Sequence, residues 1–273
     1  MDVKEYRRRY EAELAQRSAG AADQARDAPS AGNDIPSLLA TLRDARQTAA
    51  ARLKALLALM AARFLGPRFA PYNAEFLATL RAIARPDTDP ELREQALEVL
   101  AIEKDAPTQD LLRRGLEDPQ RALVPAPKAL QLLSYDDHAG LIGLARDIFR
   151  RATDPATKEE ALHLLARDPG SEGLFADLLK DQSQLRSIRA LSATALHALN
   201  PQRFAELARR IVTDEKDYED IRATVLGALT HLAGHQQVRS DQNFVEQVRR
   251  IEASTPLQNL RATADRFIKS LQR

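Results

Sequence analysis

The stretch TDPELREQALEVLA, from Thr88 to Ala101, returns sixty-five residues later as TDPATKEEALHLLA, from Thr153 to Ala166. Eight of the fourteen positions are identical, and Arg93 is matched by Lys158. A chain that repeats itself over this distance is built from similar units, and the rest of the sequence can be read for further copies. The motif is a basic anchor followed by a small residue three places on and apolar residues six and seven places on. It recurs as Arg93/Ala96/Val99-Leu100, Lys158/Ala161/Leu164-Leu165, Arg189/Ser192/Ala195-Leu196, Arg222/Val225/Ala228-Leu229 and Arg261/Ala264/Phe267-Ile268. A unit with a changed anchor fits at Ala126/Ala129/Leu132-Leu133, and another at Arg52/Ala55/Ala58-Leu59. The anchors are 41, 33, 32, 31, 33 and 39 residues apart, a period typical of repeat arrays.

Each anchored segment has helical spacing. A second helical pattern precedes most anchors, as in FLATLRAIA from Phe76, LIGLARDIF from Leu141, FAELARRIV from Phe204 and FVEQVRRIE from Phe244. Breakers separate the units at Pro107, at residues 168–170 (DPG), at Asn200-Pro201 and at Gly234. Asp89-Pro90 and Asp154-Pro155 fall between the two helices of a unit, where Asp suits the N-cap and Pro the first helical turn. Each unit is therefore a helical hairpin. One hairpin cannot bury its apolar face alone, so neighbours must stack.

The pattern resembles the HEAT repeat family, in particular its short bacterial, phycobilisome-lyase-like branch. The resemblance runs from about Pro36 to Leu271. It rests on the Asp-Pro turns and on the basic residue opening the second helix at Arg93, Lys158, Arg189, Arg222 and Arg261. It implies an all-α, right-handed α-solenoid of six to seven stacked antiparallel hairpins over residues 35–273. One unit departs from the pattern: in DPQRALVPAPKALQLL the anchor is Ala126, and Pro125 and Pro127 delay the helix start. Residues 1–17 read as a short charged helix, and residues 18–34, SAGAADQARDAPSAGND, as a flexible linker.

Composition narrows the chemistry. The 273 residues include no Cys and no Trp, which excludes disulfides, thiolate nucleophiles and Cys-rich zinc sites. Forty basic residues against thirty-nine acidic ones leave no general attraction to nucleic acid or anionic membrane. The N-terminal stretch lacks the apolar core of a signal peptide, and no uncharged apolar run reaches membrane-spanning length. A cytoplasmic protein is expected.

Candidate sites follow from charge and aromatic placement. The anchor bases form either an anion-binding ladder or pairs with turn residues such as Asp89, Asp154 and Asp181. A second basic series, Arg81, Arg113, Arg146, Arg209 and Arg249, sits 12 or 13 places before its anchors. These residues either complement helix C-termini or form a positive stripe for phosphates or an acidic partner, with Asp177 interrupting the series. YRRRY at residues 6–10 reads as the solvated face of a terminal helix or as a contact for nucleic acid or an acidic protein. His231 and His235 are four apart, but Gly234 intervenes and no third ligand follows, so no metal is expected. The di-iron hydroxylases among HEAT proteins use His-Glu dipeptides, and this chain has none. DNA glycosylases with HEAT-like repeats rely on aromatic residues, Trp included, that are missing here. No Gly-rich phosphate loop is present. The sequence expectation is a chain that is not an enzyme and carries no cofactor.

Second helices usually line the binding side of such arrays. The position five places after each anchor should face outward, giving Glu98, Gln131, His163, Thr194, Gly227 and Arg266, with Glu94, Tyr135, His197, Thr230 and His231 nearby. The expected function is a scaffold or adaptor that holds a protein or peptide along this concave face. The alternatives are an accessory subunit of a modifying enzyme, like the phycobilin lyases, and a nucleic-acid binder using the Arg stripe, the latter disfavoured by the balanced charge.

Overall fold

Aspartate, asparagine and proline set most of the helix starts. A computed structural model describes residues 34–136, 140–232 and 241–271. The expected N-terminal helix and linker up to residue 33, with YRRRY, lie outside the described residues, as do His138, Gly234 and His235. Among the described residues there are fourteen α-helices and no strand. They fall into two compact units, Met1–His138 and Ala139–Arg273.

The first unit contains α1 (Ile35–Arg43), α2 (Ala49–Ala62), α3 (Asn73–Ile83), α4 (Pro90–Ile102), α5 (Ala106–Glu117) and α6 (Ala126–Leu133). Two short 3-10 turns, Arg63–Arg68 and Ala70–Tyr72, join α2 to α3. The hairpins are α1–α2, α3–α4 and α5–α6, and the second helices α2, α4 and α6 pack in sequence against one another. The second unit contains α7 (Gly140–Arg151), α8 (Pro155–Leu165), α9 (Glu172–Lys180), α10 (Arg186–Leu199), α11 (Pro201–Thr213), α12 (Glu219–Leu232), α13 (Gln242–Ser254) and α14 (Gln258–Leu271). It pairs them as four hairpins, with α8, α10, α12 and α14 as the row of second helices and α9, α11 and α13 as a row of first helices.

Capping follows the sequence closely. Asp89 accepts from the amides of Glu91 and Leu92 at the start of α4, and Asp154 from Thr157 N at the start of α8. Asp105, Asn200 and Asp241 cap α5, α11 and α13 in the same way, and Pro107 and Pro201 sit in the first turns where no intrahelical donor is lost. The α1, α3, α6, α9 and α10 starts lack a side-chain cap. At α6 Pro125 occupies the N-cap, and the helix has only 8 residues.

The core is the repeat made visible. Counted from the anchor, the residues three, four and seven places on are buried in α2, α4, α6, α8, α10 and α12: for example Ala96, Leu97 and Leu100 in α4, and Ala161, Leu162 and Leu165 in α8. In α14 the register shifts: Ala264 at plus three is buried, Asp265 at plus four and Ile268 at plus seven are half-buried, and Phe267 at plus six is buried instead. Buried apolar residues from α7 through α14 form one continuous cluster in the second unit, including Phe175, Leu196, Phe204, Leu229 and Phe267.

The anchor guanidinia have a common task. Arg52 Nε donates to Leu42 O, Arg189 Nε to Leu179 O and Arg222 Nε to Val212 O, at 2.9–3.0 Å. Each acceptor is the penultimate residue of the first helix of the same hairpin, ten places back, where carbonyls have no intrahelical donor. Arg93 instead donates to Pro86 O and Thr88 O in the turn that follows α3, and Arg261 donates to Thr255 O at the C-cap of α13. The anion-ladder reading is thus unsupported at Arg93, Arg189, Arg222 and Arg261, whose guanidinia are engaged with backbone carbonyls of their own hairpins. The turn-Asp reading fits Arg189, which pairs with Asp217 from the turn of the following hairpin; among the described residues Arg52, Arg93, Arg222 and Arg261 show no such pair.

Candidate functional site

The surface of interest is carried by the second helix of each hairpin, and the two units present it separately. In the first unit, Glu94 and Glu98 lie one turn apart on α4, and Lys128 of α6 bridges them at 3.2 and 3.5 Å. Glu98 is buried, contrary to its expected outward position. Close packing of α4 against both α2 and α6 covers it, and Lys128 supplies the opposite charge that a buried carboxylate requires. Gln131 on α6 and Tyr135 just beyond it are half-buried.

Beside this charged cluster lies a recess that the plus-five row misses. Met60, Arg63 and Phe64 from the end of α2 and the following 3-10 turn face Val99 and Ile102 at the end of α4, around a space of about 370 Å³. Phe64 is 91% exposed, and Leu57, Leu65 and Ile102 are exposed as well. Arg63 pairs with Glu103 at the rim, so the recess itself offers apolar surface with a neutralised edge. The turn that lifts Phe64 outward contains Gly66, whose φ of 58° places it in the left-handed region that glycine accepts without steric cost. A signal was present: continuing the plus-five row back to the Arg52 unit reaches Leu57, an apolar residue at an outward position.

In the second unit the predicted residues behave differently from one another. His163 on α8, His231 on α12 and Arg266 on α14 are exposed. Arg266 is held over its own helix by Thr263 Oγ1. Thr194 and Thr230 are half-buried, each hydroxyl returned to the carbonyl four residues back. His197 is half-buried and packs edge-on against Phe204, ring centroids 5.2 Å apart, and its buried Nε2 has no hydrogen-bond partner. Burial, and secondarily the nearby His231, lower the His197 pKa. Gly227 lies close to α14: a Cβ there would sit 3.7 Å from Thr263 Cγ2. Among the described residues no three His, Asp or Glu side chains are grouped to hold a metal ion, and no helix is long and apolar enough to cross a membrane.

Three of the five members of the second basic series, Arg81, Arg146 and Arg209, are engaged elsewhere. Arg81 Nε donates to Asp105 at 2.8 Å, Arg146 to Asp168 at 2.9 Å and Arg209 to Asp241 at 3.2 Å. Each acceptor is an N-cap residue at the first-helix side of the next hairpin. These three therefore stitch first helix to first helix. The interruption at Asp177 gains a reason, because the next cap in that register is the neutral Asn200 rather than an aspartate. Burial pushes the Asp105 carboxyl upward, but the hydrogen bonds from Arg81 and Thr108 outweigh it and its pKa is lowered. Asp105 thus has two separable duties. Asp105→Ala should remove cap and ion pair together, at about 2 kcal/mol by urea denaturation. Asp105→Asn should retain most of that stability, because an asparagine still caps. Equal losses in the two variants would assign the stability to the ion pair alone.

No family model matches the sequence, and no curated protein matches it. Two solved structures are similar over most of their length. Human deoxyhypusine hydroxylase, solved in complex with glycerol, is 15% identical with a TM-score of 0.36, covering 88% of this chain and 96% of its own. The complex of CpcE and CpcF of phycocyanin lyase from Nostoc sp. is 18% identical with a TM-score of 0.39, covering 90% of this chain and 96% of that one. Both are HEAT-like helical proteins. The expectation that this chain is not an enzyme is corrected: the structures it is similar to are a hydroxylase and a lyase complex.

Proposed function

We propose that this chain is a protein-binding helical repeat protein that holds its partner on the surface of its second helices, with the recess around Met60, Phe64, Val99 and Ile102 as the anchor point. The observation that supports this most is Phe64. A phenylalanine 91% exposed at the lip of an apolar recess loses a large apolar area to water, and such patches mark interaction sites. A partner helix or loop inserting one large apolar side chain would cover Met60, Phe64 and Ile102 together, while the Glu94–Lys128–Glu98 cluster supplies polar contacts alongside. In the second unit His163, His231 and Arg266 are the exposed contact candidates, with Thr194, His197 and Thr230 half-buried beside them.

The accessory-subunit reading is compatible with this surface and differs from it in having a modifying enzyme as partner; a bilin absorbance on co-purification is its readout. The nucleic-acid reading is less well supported, because Arg81, Arg146 and Arg209 are engaged with N-cap aspartates. A phosphate binder would also lose affinity steeply with salt.

The test is a capture experiment with the full chain from its native host. Phe64→Asp combined with Ile102→Asp is expected to abolish capture of the partner while stability stays within roughly 0.5 kcal/mol, as for exposed positions. Charge reversal at Arg249 should leave capture intact. Retained capture by the double variant, or loss on reversal of Arg249 alone, rejects the recess as the anchor.

A further inference from the structure

Three hairpins close with the same five-residue turn. Residues 44–48, 181–185 and 214–218 each begin with an aspartate whose Oδ1 accepts the amide two residues on, at Arg46, Ser183 and Lys216. Each also closes with a backbone bond from the fourth residue back to that aspartate. The fifth residue stands immediately before the second helix. In the first turn it is Thr48, whose hydroxyl caps Ala51 N at 3.2 Å. In the other two it is Leu185 and Tyr218, which have no oxygen placed to cap, and Leu185 is recorded as an uncapped start. The last hairpin places Leu257 directly before α14. The earlier α4 and α8 use Asp89 and Asp154 there.

Leu185, Tyr218 and Leu257 are 48%, 42% and 38% exposed, and among the described residues of the second unit they are the large apolar side chains classed as exposed. An apolar residue at an N-cap is unfavourable relative to Ser, Thr, Asp or Asn. The same backbone turn accommodates a capping Thr in the first unit, so turn geometry does not demand the substitution. The second helices that follow, α10, α12 and α14, pack side by side, which sets the three residues in a row, one per hairpin. The surroundings of Leu185 and Tyr218 are acidic, whereas residues 255–261 around Leu257 hold no carboxylate and one base, Arg261. Residues 181–187 and 214–220 hold Asp181, Asp214, Glu215, Glu219 and Asp220 against Arg186 and Lys216, once Asp217 is set aside for its buried pair with Arg189. Arg186 is itself occupied, lying 4.4 Å above the Tyr218 ring and 3.5 Å from Asp220.

We infer that this edge of the second unit is a docking strip for an extended, basic, proline-rich segment of a partner protein. Packed helices stand about 8–10 Å apart. A polyproline II chain rises about 3.1 Å per residue and returns to the same face every third residue, about 9 Å along. Apolar residues at every third position would meet Leu185, Tyr218 and Leu257 in turn, and Arg or Lys between them would face the aspartates and glutamates. The strip is independent of the recess in the first unit, and either can fail without the other.

The test uses the full chain and a synthetic peptide of repeated Pro-Leu-Arg triplets, followed by fluorescence anisotropy. The unaltered chain should bind it, and should bind a Pro-Leu-Glu counterpart at least tenfold more weakly. The triple variant Leu185→Thr/Tyr218→Thr/Leu257→Thr should lose at least tenfold in affinity for Pro-Leu-Arg, while its melting temperature stays level or rises because Thr48-type caps are restored. Absence of binding by the unaltered chain, equal binding of the two peptides, or unchanged affinity in the variant overturns the proposal. So does a melting temperature that falls by many degrees, which would mark the three side chains as packing residues.

Discussion

Arg189→Met is expected to destabilise the chain by about 3–5 kcal/mol, as removal of one member of a buried ion pair does. Arg189 is 0% exposed and Asp217 is buried with it. The guanidinium grips the carboxylate with two parallel bonds of 2.6 and 2.7 Å and holds Leu179 O at 3.0 Å with Nε. One side chain thereby ties the end of α9 to the start of α10 and to the turn before α12. Its removal would leave a carboxylate without its counter-charge and a helix-end carbonyl without a donor, both away from water. Arg222→Met makes the comparison, since Arg222 is buried and caps Val212 O in the same way, with no ion pair among the described residues. Its loss should be smaller, about 1.5–3 kcal/mol. Asp217→Asn in the Arg189→Met background should recover part of the loss by removing the stranded charge. Urea denaturation decides it: a loss below about 1 kcal/mol for Arg189→Met would mean that water or a rearranged turn rescues Asp217, and that the pair does not organise these hairpins.

That Arg189 was visible in the sequence as an anchor, but not as a buried pair, illustrates what a repeat conveys. Spacing reports which side of a helix is covered, because coverage recurs with every unit. It located Ala96, Leu97 and Leu100 and their equivalents, and the cap at Asp89 or Asp154. It reports less well what a long polar side chain reaches. The anchors were expected to pair with a turn aspartate of their own or the neighbouring hairpin, as Arg189 does with Asp217, yet what they share is a donor to backbone carbonyls at the end of the first helix or in the turn after it, a partner that has no sequence signature. Arg81, Arg146 and Arg209 look like a surface stripe in sequence because their acceptors, Asp105, Asp168 and Asp241, lie in the next hairpin. Glu98 shows the same limit from the other side. Its register is outward, but neighbouring helices close over it and Lys128 reaches across. The recess at Phe64 escaped because it arises in an irregular stretch, the 3-10 turns between α2 and α3, where the repeat has no vote. The caps at Leu185 and Tyr218 needed the structure to show that their turn is the one closed by Thr48.

Truncation of the repeat's own buried leucines is the other large effect. Leu100→Ala, Leu165→Ala and Leu229→Ala each empty a site that is 0% exposed, and each should cost about 2–5 kcal/mol through lost burial and the cavity left behind. The three occupy one register, seven places after Arg93, Lys158 and Arg222, so differences among them report the surroundings rather than the residue. Leu165 and Leu229 belong to the continuous cluster that runs from α7 to α14. A cavity at either is shared with neighbouring hairpins, and α12, which carries Leu229, packs on both α10 and α14. In an array stabilised by interfaces, loosening an internal hairpin withdraws support from both neighbours. Hydrogen exchange in Leu229→Ala should therefore rise in α10 and α14 as well as in α12. In Leu100→Ala it should rise in α2 and α6, which flank α4. Faster exchange confined to the mutated helix would show that each hairpin holds its own stability, and the stacking argument that explains why the chain repeats itself would then fail.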